Sequence, residues 1–286
     1  MGKPRRRASV VCEAEGHLLL VRLRDPTTRA VHLYPPGGGI EPGESPARTA
    51  ERETLEETGL HVRVDPSLEL VDEYPFTWDG VDYDCTTHYL AATLTDRFEP
   101  TLAPVEDAAY NEGAAWLPTA EALTTLEAHP RIATAVSRLL GRMRRADWRR
   151  DPRFLGHAQM LLVIHDQFRL SSERLRFVLE REPDVDLGWL ARTFHPLAEM
   201  LHHHHHAEEI LLFPQMGGAE RLTGDHEALK AAIAEVSGAL RSGGSSEDAT
   251  AVLRRFDDIL VDHLDREEAL AMPFLLAGVS GEGHRA

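Results

Sequence analysis

The chain has 286 residues, with 47 Asp and Glu against 31 Lys and Arg and a formal charge of −16. This length allows about two domains, and so acidic a composition excludes the broad basic face that a general nucleic-acid binder needs. Two cysteines are too few for a disulfide framework.

The opening residues Lys3, Pro4, Arg5, Arg6 and Arg7 read as a solvated, frayed terminus. The apolar stretch at 10–23 is interrupted by Glu13, Glu15, His17 and Arg22. It is therefore neither a signal-type core nor the ~20 apolar residues that crossing a bilayer takes. Strands are predicted at 9–14 and 17–23 around a turn at Glu15-Gly16. Cys12 and Cys85 lie in strand-like apolar stretches and read as buried free thiols, which suits a reducing, cytoplasmic location. A Gly/Pro-rich loop at 34–43 precedes a helix. Residues 68–78 and 81–94 then alternate as a hairpin about a tight turn at Asp79-Gly80. A short strand at 114–117 leads through Pro118 into helical stretches at 119–126 and 131–145.

Beyond Asp147 no strand pattern recurs. Four long helical patterns lie at about 152–182, 187–213, 220–241 and 247–276. Breaks fall at Glu182-Pro183-Asp184, Gly217-Gly218 and residues 242–246. Short connections between long helices favour an antiparallel bundle. The expected organisation is an α/β domain over 1–146 and an all-α domain over 150–279.

The helix after the loop is bracketed by its own residues. Ser45 suits the N-cap, Pro46 the first helical position and Gly59 the C′ position, giving about thirteen residues. Glu53, Glu56 and Glu57 stand at i, i+3 and i+4, which puts three carboxylates on one face. They repel one another unless a hard divalent cation joins them, and carboxylate oxygens are what Mg²⁺ prefers. Glu44 and Arg52 can pair and fix the loop against the helix. Gly37, Gly38 and Gly39 let the backbone approach a ligand closely.

The segment from Gly38 to Leu60 resembles the Nudix box, with one departure: Thr54 stands where Leu, Ile or Val is usual. Pro35, Pro36 and Gly37 before it, and Trp116-Leu117-Pro118 after it, are also similar to that family, and the resemblance covers roughly residues 8–146. It implies an α/β/α sandwich that hydrolyses a nucleoside diphosphate linked to another group. It also implies Mg²⁺ or Mn²⁺ held by Glu53, Glu56 and Glu57 with the carbonyl of Gly38, and an orienting pair of Glu44 and Arg52. The proton acceptor would be Glu56 or Glu57, or Glu106 or Glu112 on a later loop.

Eleven of the sixteen histidines lie beyond residue 150. The first long helix holds His165 and the third His226. The second and fourth share a spelling: His204 precedes Glu208 by four residues, and His263 precedes Glu267 by four. Each Glu opens a Glu-Glu pair, and a proline follows six residues after it. One helical turn separates such residues, so each pair can aim an imidazole and a carboxylate at one point. A mixed N/O cage of this kind suits iron or another first-row transition metal better than Mg²⁺. Leu161, Leu162, Phe168, Leu175, Phe256 and Leu260 read as bundle core, and His157 and His195 as structural or exposed.

Residues 152–276 resemble the hemerythrin-like, or HHE, family. The resemblance implies a four-helix bundle with a non-haem di-iron centre that binds O₂ or senses iron and oxygen. Carried over, His165, His204, His226 and His263 would be terminal ligands, and Glu208 and Glu267 would bridge the irons. Within the run 202–206, His205 with Glu209 has the same spacing and His206 is a further choice; the repeated spelling favours His204.

Two functions are compatible with these features. One is a pyrophosphohydrolase with an attached iron-binding bundle. The other is a non-catalytic iron or oxygen sensor whose Nudix-like part only binds a nucleotide. The expected partners are a nucleoside diphosphate-type small molecule and O₂, with neither nucleic acid nor membrane.

Overall fold

The computed structural model describes residues 2–99, 102, 110–182, 184–241 and 245–278. Glu106, Pro183, residues 242–244 and the expected domain end at 279 lie outside the described residues. The chain divides into two compact units, Met1–Arg144 and Arg145–Ala286.

The first unit is built on a mixed sheet. Its strands are β1 (Lys3–Ala14), β2 (His17–Arg24), β3 (Val31–Tyr34), β4 (Gly37–Gly39), β5 (Val62–Trp78), β6 (Val81–Leu94) and β7 (Asn111–Pro118). The order is β3-β2-β1-β6-β5, with β4 paired to β1 and β7 to β2. The alternation of β1 sorts its residues between two cores. Ala8, Val10 and Cys12 join Ala50 of α1 (Pro46–Thr58) on one face. Val11 joins the other face, where α2 (Thr119–Leu126) and the portion of α3 (Pro130–Arg150) through Leu140 pack. Helices on both faces of one sheet make the expected α/β/α sandwich.

Three strand expectations need correction. The basic start is not frayed: Lys3 through Arg7 run parallel to Tyr83 through Thr87 of β6. The ladder supplies backbone partners, and Arg5 lies over the Tyr83 ring, 5.0 Å from its centroid. β4 lies inside the expected loop, because pairing with Arg7, Ala8 and Ser9 extends a glycine run that has no strand pattern of its own. β5 begins at Val62, and a register shift between Asp65 and Glu69 absorbs Pro66. The hairpin turn is as expected, with Asp79 at φ 49° and Gly80 at φ 68°. Cys12 and Cys85 are both buried free thiols.

The second unit is helical: α4 (His157–Arg181), α5 (Leu187–Leu211), α6 (Glu220–Arg241) and α7 (Ser246–Ala277), with a 3₁₀ turn at Phe213–Gln215 after α5. Its apolar residues form two clusters. One holds Phe168, Leu175, Leu201, Leu229, Phe256 and Leu260. The other holds Leu161, Leu162, Phe213, Leu222, Met272 and Leu276. Between these clusters each of the four helices contributes polar side chains: His165 on α4, His204, His205 and Glu208 on α5, His226 on α6, and His263, Glu267 and Glu268 on α7. The bundle therefore has a polar layer sealed on both sides by hydrocarbon. No described helix is long and apolar enough to cross a membrane.

Candidate functional sites

In the first unit α1 has the predicted limits. Ser45 Oγ accepts from Arg48 N at 3.3 Å, and Gly59, at φ 73°, donates its N–H to Leu55 O. Thr54 replaces the usual aliphatic residue without leaving a polar orphan. It is fully buried, and its hydroxyl donates to Ala50 O at 2.7 Å.

The capped helix presents its acidic face to β4. Arg52 clamps Glu44 in a two-pronged pair, Nε to Oε1 and Nη2 to Oε2, both at 3.0 Å. Arg52 and Thr49 donate to Glu44 and hold its carboxyl down at about 2. The same guanidinium reaches forward, and its Nη1 lies 3.0 Å from Glu53 Oε1 and 2.9 Å from Glu56 Oε2. Glu53 presses on the backbone of Gly38: a Cβ there would fall 2.2–2.4 Å from its carboxyl atoms. Burial pushes the Glu53 carboxyl upward, against the pull of Arg52. Glu57 is buried and accepts the N–H of Gly37 at 2.8 Å, while Asn111 Nδ2 donates to the Glu57 carbonyl at 3.1 Å.

These carboxylates line one face but are not drawn to one point. Arg52 Nη1 stands between Glu53 and Glu56, and Glu57 lies on the Gly37 amide. The residues nonetheless fit a hard cation. A positive group already bridges two of the carboxylates, and Glu53 approaches the Gly38 backbone so closely that a side chain there would displace its carboxyl group. Glu112 pairs with Arg24.

In the second unit the structure gathers two sets of potential ligand atoms, each within 4.8 Å of one another: His165, His204, Glu208 and Glu267, and His205, His226 and His263. His204 Nε2 is 2.6 Å from Glu208 Oε1 and 3.0 Å from His165 Nε2. Glu208 Oε2 also lies 3.7 Å from His226 Nε2, while Glu267 Oε2 lies 3.6 Å from His165 Nε2 and 3.4 Å from His263 Nε2. Both carboxylates thus stand between the two sets.

His204 and His205 are not alternatives. Successive helical residues diverge by about 100°, so His204 turns to His165 on α4. His205 turns to α6 and α7, stacking on His226 at 4.0 Å between centroids. His202, His203 and His206 are exposed, as are His157 and His195.

The chemistry of this layer fits metal ions. Both oxygens of Glu208 and of Glu267, Nε2 of His205 and His226, and both ring nitrogens of His263 are buried without a hydrogen-bond partner. Buried polar atoms are ordinarily satisfied, so this concentration asks for a shared partner. Without one, a proton neutralises the cluster. Burial disfavours charge on His165, but Glu267, Glu208 and Glu268 outweigh it and push the imidazole up to about 10. His205 is driven the other way, to about 2, by burial and by His226 and His263. It stays neutral, the form a metal requires. Burial raises Glu267, while His165 and His204 overcome burial to lower Glu208.

The sequence reading missed the residues behind the candidate ligands. Glu268 accepts from His165 Nδ1 at 2.9 Å, and Glu209 accepts from His226 Nδ1 at 2.8 Å. Arg169 donates to Glu268 and Asp265, both at 2.7 Å, and Arg145 reaches the same two carboxylates. The signal was present in the doubled glutamates: on each helix the first Glu enters the layer and the second orients a histidine of a neighbouring helix.

Comparison with known proteins agrees with this division. Residues 2–139 match the NUDIX domain, and residues 156–275 match the Hemerythrin HHE cation binding domain. An RNA pyrophosphohydrolase of Mesorhizobium japonicum is 38% identical over 63 residues, which is 22% of this chain and 32% of that relative's length. A NUDIX hydrolase from Nitrosomonas europaea shares 27% identity over 47% of this chain and 86% of its own, with a TM-score of 0.36. A C. elegans Ap4A hydrolase shares 19% identity over 50% of this chain and 98% of its own, with a TM-score of 0.39. The chain carries a NUDIX domain followed by a hemerythrin HHE cation binding domain.

Proposed function

We propose that residues 2–139 hydrolyse the diphosphate linkage of a nucleoside diphosphate derivative. We further propose that residues 156–275 hold two iron ions that bind O₂ or report redox state. The hydrolase reading is carried by one observation: Glu53 and Glu57 meet adjacent backbone positions of β4, at Gly38 and Gly37. Glu53, Glu56 and Glu57 would hold Mg²⁺ or Mn²⁺ there, with the Gly38 carbonyl. When bound, that ion offsets the charge growing on the phosphate oxygens and lowers the pKa of the attacking water.

The chain's own residues supply the rest. Arg52 and Glu44 hold the loop to the helix, so the glycine backbone and the carboxylates keep their spacing. Glu57 is tied to the Gly37 amide and buried, which suits a fixed ligand. Glu56, with its side chain 51% exposed, is better placed to take a proton from water. The test is nucleotide or phosphate release from a panel of nucleoside diphosphate derivatives, with Mg²⁺ or Mn²⁺. Release by the native chain, lost about 10²-fold or more in Glu53→Gln, is the expected result. No release across the panel would leave the sensing role.

In the second unit His165, His204, Glu208 and Glu267 would hold one iron, and His205, His226 and His263 the other, with Glu208 and Glu267 between them. Iron supplies the affinity for O₂ that side chains lack. Metal analysis of the purified chain, with visible spectra before and after exposure to O₂, checks this. A chain that takes up zinc but never iron would sink it.

A further inference from the structure

Three of the five histidines in the run 202–206 take no part in the buried layer. His204 and His205 turn inward to the two sets of ligand atoms, whereas His202, His203 and His206 are exposed on the outer side of α5. Among the described residues the side chains of these three have no hydrogen bond or ion pair. The spacing is that of a chelate. Residues four apart on a helix differ by about 40° around its axis, and their Cβ atoms are about 5–6 Å apart. His202 and His206 therefore stand one above the other. Their imidazoles can take the same ion, as histidines at this spacing do in helical zinc sites. Glu199 and His203 repeat the four-residue spacing alongside, and the Glu199 carboxylate is also exposed and without an ion pair among the described residues. The His202 and His203 rings lie 5.8 Å apart between centroids.

The local charge favours a cation. From Thr193 through Glu220 the chain has no Lys or Arg, while Glu199 and Glu209 flank the histidines. Lys230 of α6, whose charge interacts with Glu209, is taken up by Glu227 at 2.7 Å. Imidazole backed by carboxylate suits a first-row transition ion better than Mg²⁺. Two protein ligands leave the remaining coordination positions to water, so an ion held here exchanges readily. The layer differs in being enclosed. The side chain of His204 is 11% exposed, against 0–5% for His165, Glu208, His226, His263 and Glu267. His204 is thus the most open of these candidate ligands, and it lies within the same turn as the three outward histidines.

We propose that His202 and His206 form a solvent-facing site for a first-row divalent cation, such as Fe²⁺, and that this site collects the ion which the layer receives beside His204. The outer site is separate from the function proposed above, and its delivery role rests on the iron reading of the layer.

The test has two arms. In the first, Ni²⁺ is titrated calorimetrically into the full native chain and into Glu208→Ala, in which the layer has lost a shared carboxylate. One Ni²⁺ site is expected in common. His206→Gln should weaken it about 100-fold in either background, because the second imidazole no longer adds an intramolecular contact. His195→Gln, also exposed on α5, should leave it unchanged. A Ni²⁺ affinity unaltered by His206→Gln, or found only where Glu208 is intact, overturns the site. In the second arm, anaerobic Fe²⁺ uptake is followed by stopped-flow chelator competition. Its rate should fall about tenfold or more in His206→Gln, since the local ion concentration is lost, with the final iron content after desalting unchanged. An unchanged rate removes the delivery role. A chain that binds Ni²⁺ through His206 and never takes up iron upholds the outer site and removes only the iron reading of the layer.

Discussion

His165, fully buried, donates its Nδ1 proton to Glu268 at 2.9 Å, which turns its Nε2 toward His204, Glu208 and Glu267. Glu268 does not face the centre itself. It fixes the tautomer of a residue that does, and it is held in turn by Arg169 and Arg145. His165 and Arg169 outweigh burial and hold its carboxyl down at about 2. Glu268→Gln keeps the shape and loses the charge, so iron affinity is expected to fall about 10–100-fold, measured by chelator competition. Glu268→Ala should also cost about 1–3 kcal/mol of stability, because buried donors lose their acceptor. Unchanged iron affinity in both variants would remove the orienting role.

Much of this was legible in the sequence, and the exceptions share a cause. The limits of α1 were readable because Ser45, Pro46 and Gly59 act locally, through the first and last turns of one helix. The hairpin turn at Asp79-Gly80 was readable for the same reason. The strand character of Arg5, Arg6 and Arg7 was not, because it depends on β6, which lies far along the chain. The repeated His-x-x-x-Glu spelling located the polar layer but hid its second half. Choosing between His204 and His205 assumed one inward direction per helix, and a helix in a bundle has a neighbour on each flank. The two prolines of that spelling also diverge: Pro214 sits in the 3₁₀ turn that closes α5, while α7 runs through Pro273 to Ala277.

Cys12 tests the burial of β1. It is fully buried, and burial pushes its thiol up from 9.0 to about 12. Neither Cys12 nor Cys85 should react with iodoacetamide at pH 8 in the native chain, and both should react after unfolding. The sign of the linkage follows. A thiol that is a weaker acid when folded keeps its contribution below pH 9 and loses it as pH climbs toward 12. Denaturant midpoints should therefore fall across that interval in the native chain, and fall less in Cys12→Ala. Rapid alkylation of the folded protein would contradict this placement.

Gly38 and Gly39 make a matched pair. A methyl group at Gly38 would fall 2.2–2.4 Å from the Glu53 carboxyl, whereas one at Gly39 meets no atom within 4 Å. The clash at 38 is with the far end of a side chain, so Gly38→Ala should fold and turn Glu53 away. Hydrolysis is expected to drop about 10²-fold, the scale of an ångström's misplacement at a reacting centre. Gly39→Ala should lose far less. Equal losses in the two variants, with circular dichroism melts unchanged, would show that the approach of Glu53 to Gly38 is not what activity needs.

The two ligand sets predict separable metal losses. His204 belongs to the set with His165, and His205 to the set with His226 and His263. Replacing either histidine by alanine should leave about one ion per chain where the native protein is expected to hold about two, because one set keeps its full complement of imidazoles. Glu208 approaches nitrogens of both sets, His204 at 2.6 Å and His226 at 3.7 Å, so Glu208→Ala should empty both. Loading should also raise the melting temperature of the second unit, since an ion at 100 times its Kd adds about 2.7 kcal/mol when only the folded state binds it. That gain should be smaller in each histidine variant and absent in Glu208→Ala. Iron content by elemental analysis and a calorimetric scan of each variant decide the matter. If His205→Ala kept both ions while His204→Ala lost both, the layer would be a single centre rather than two facing sets.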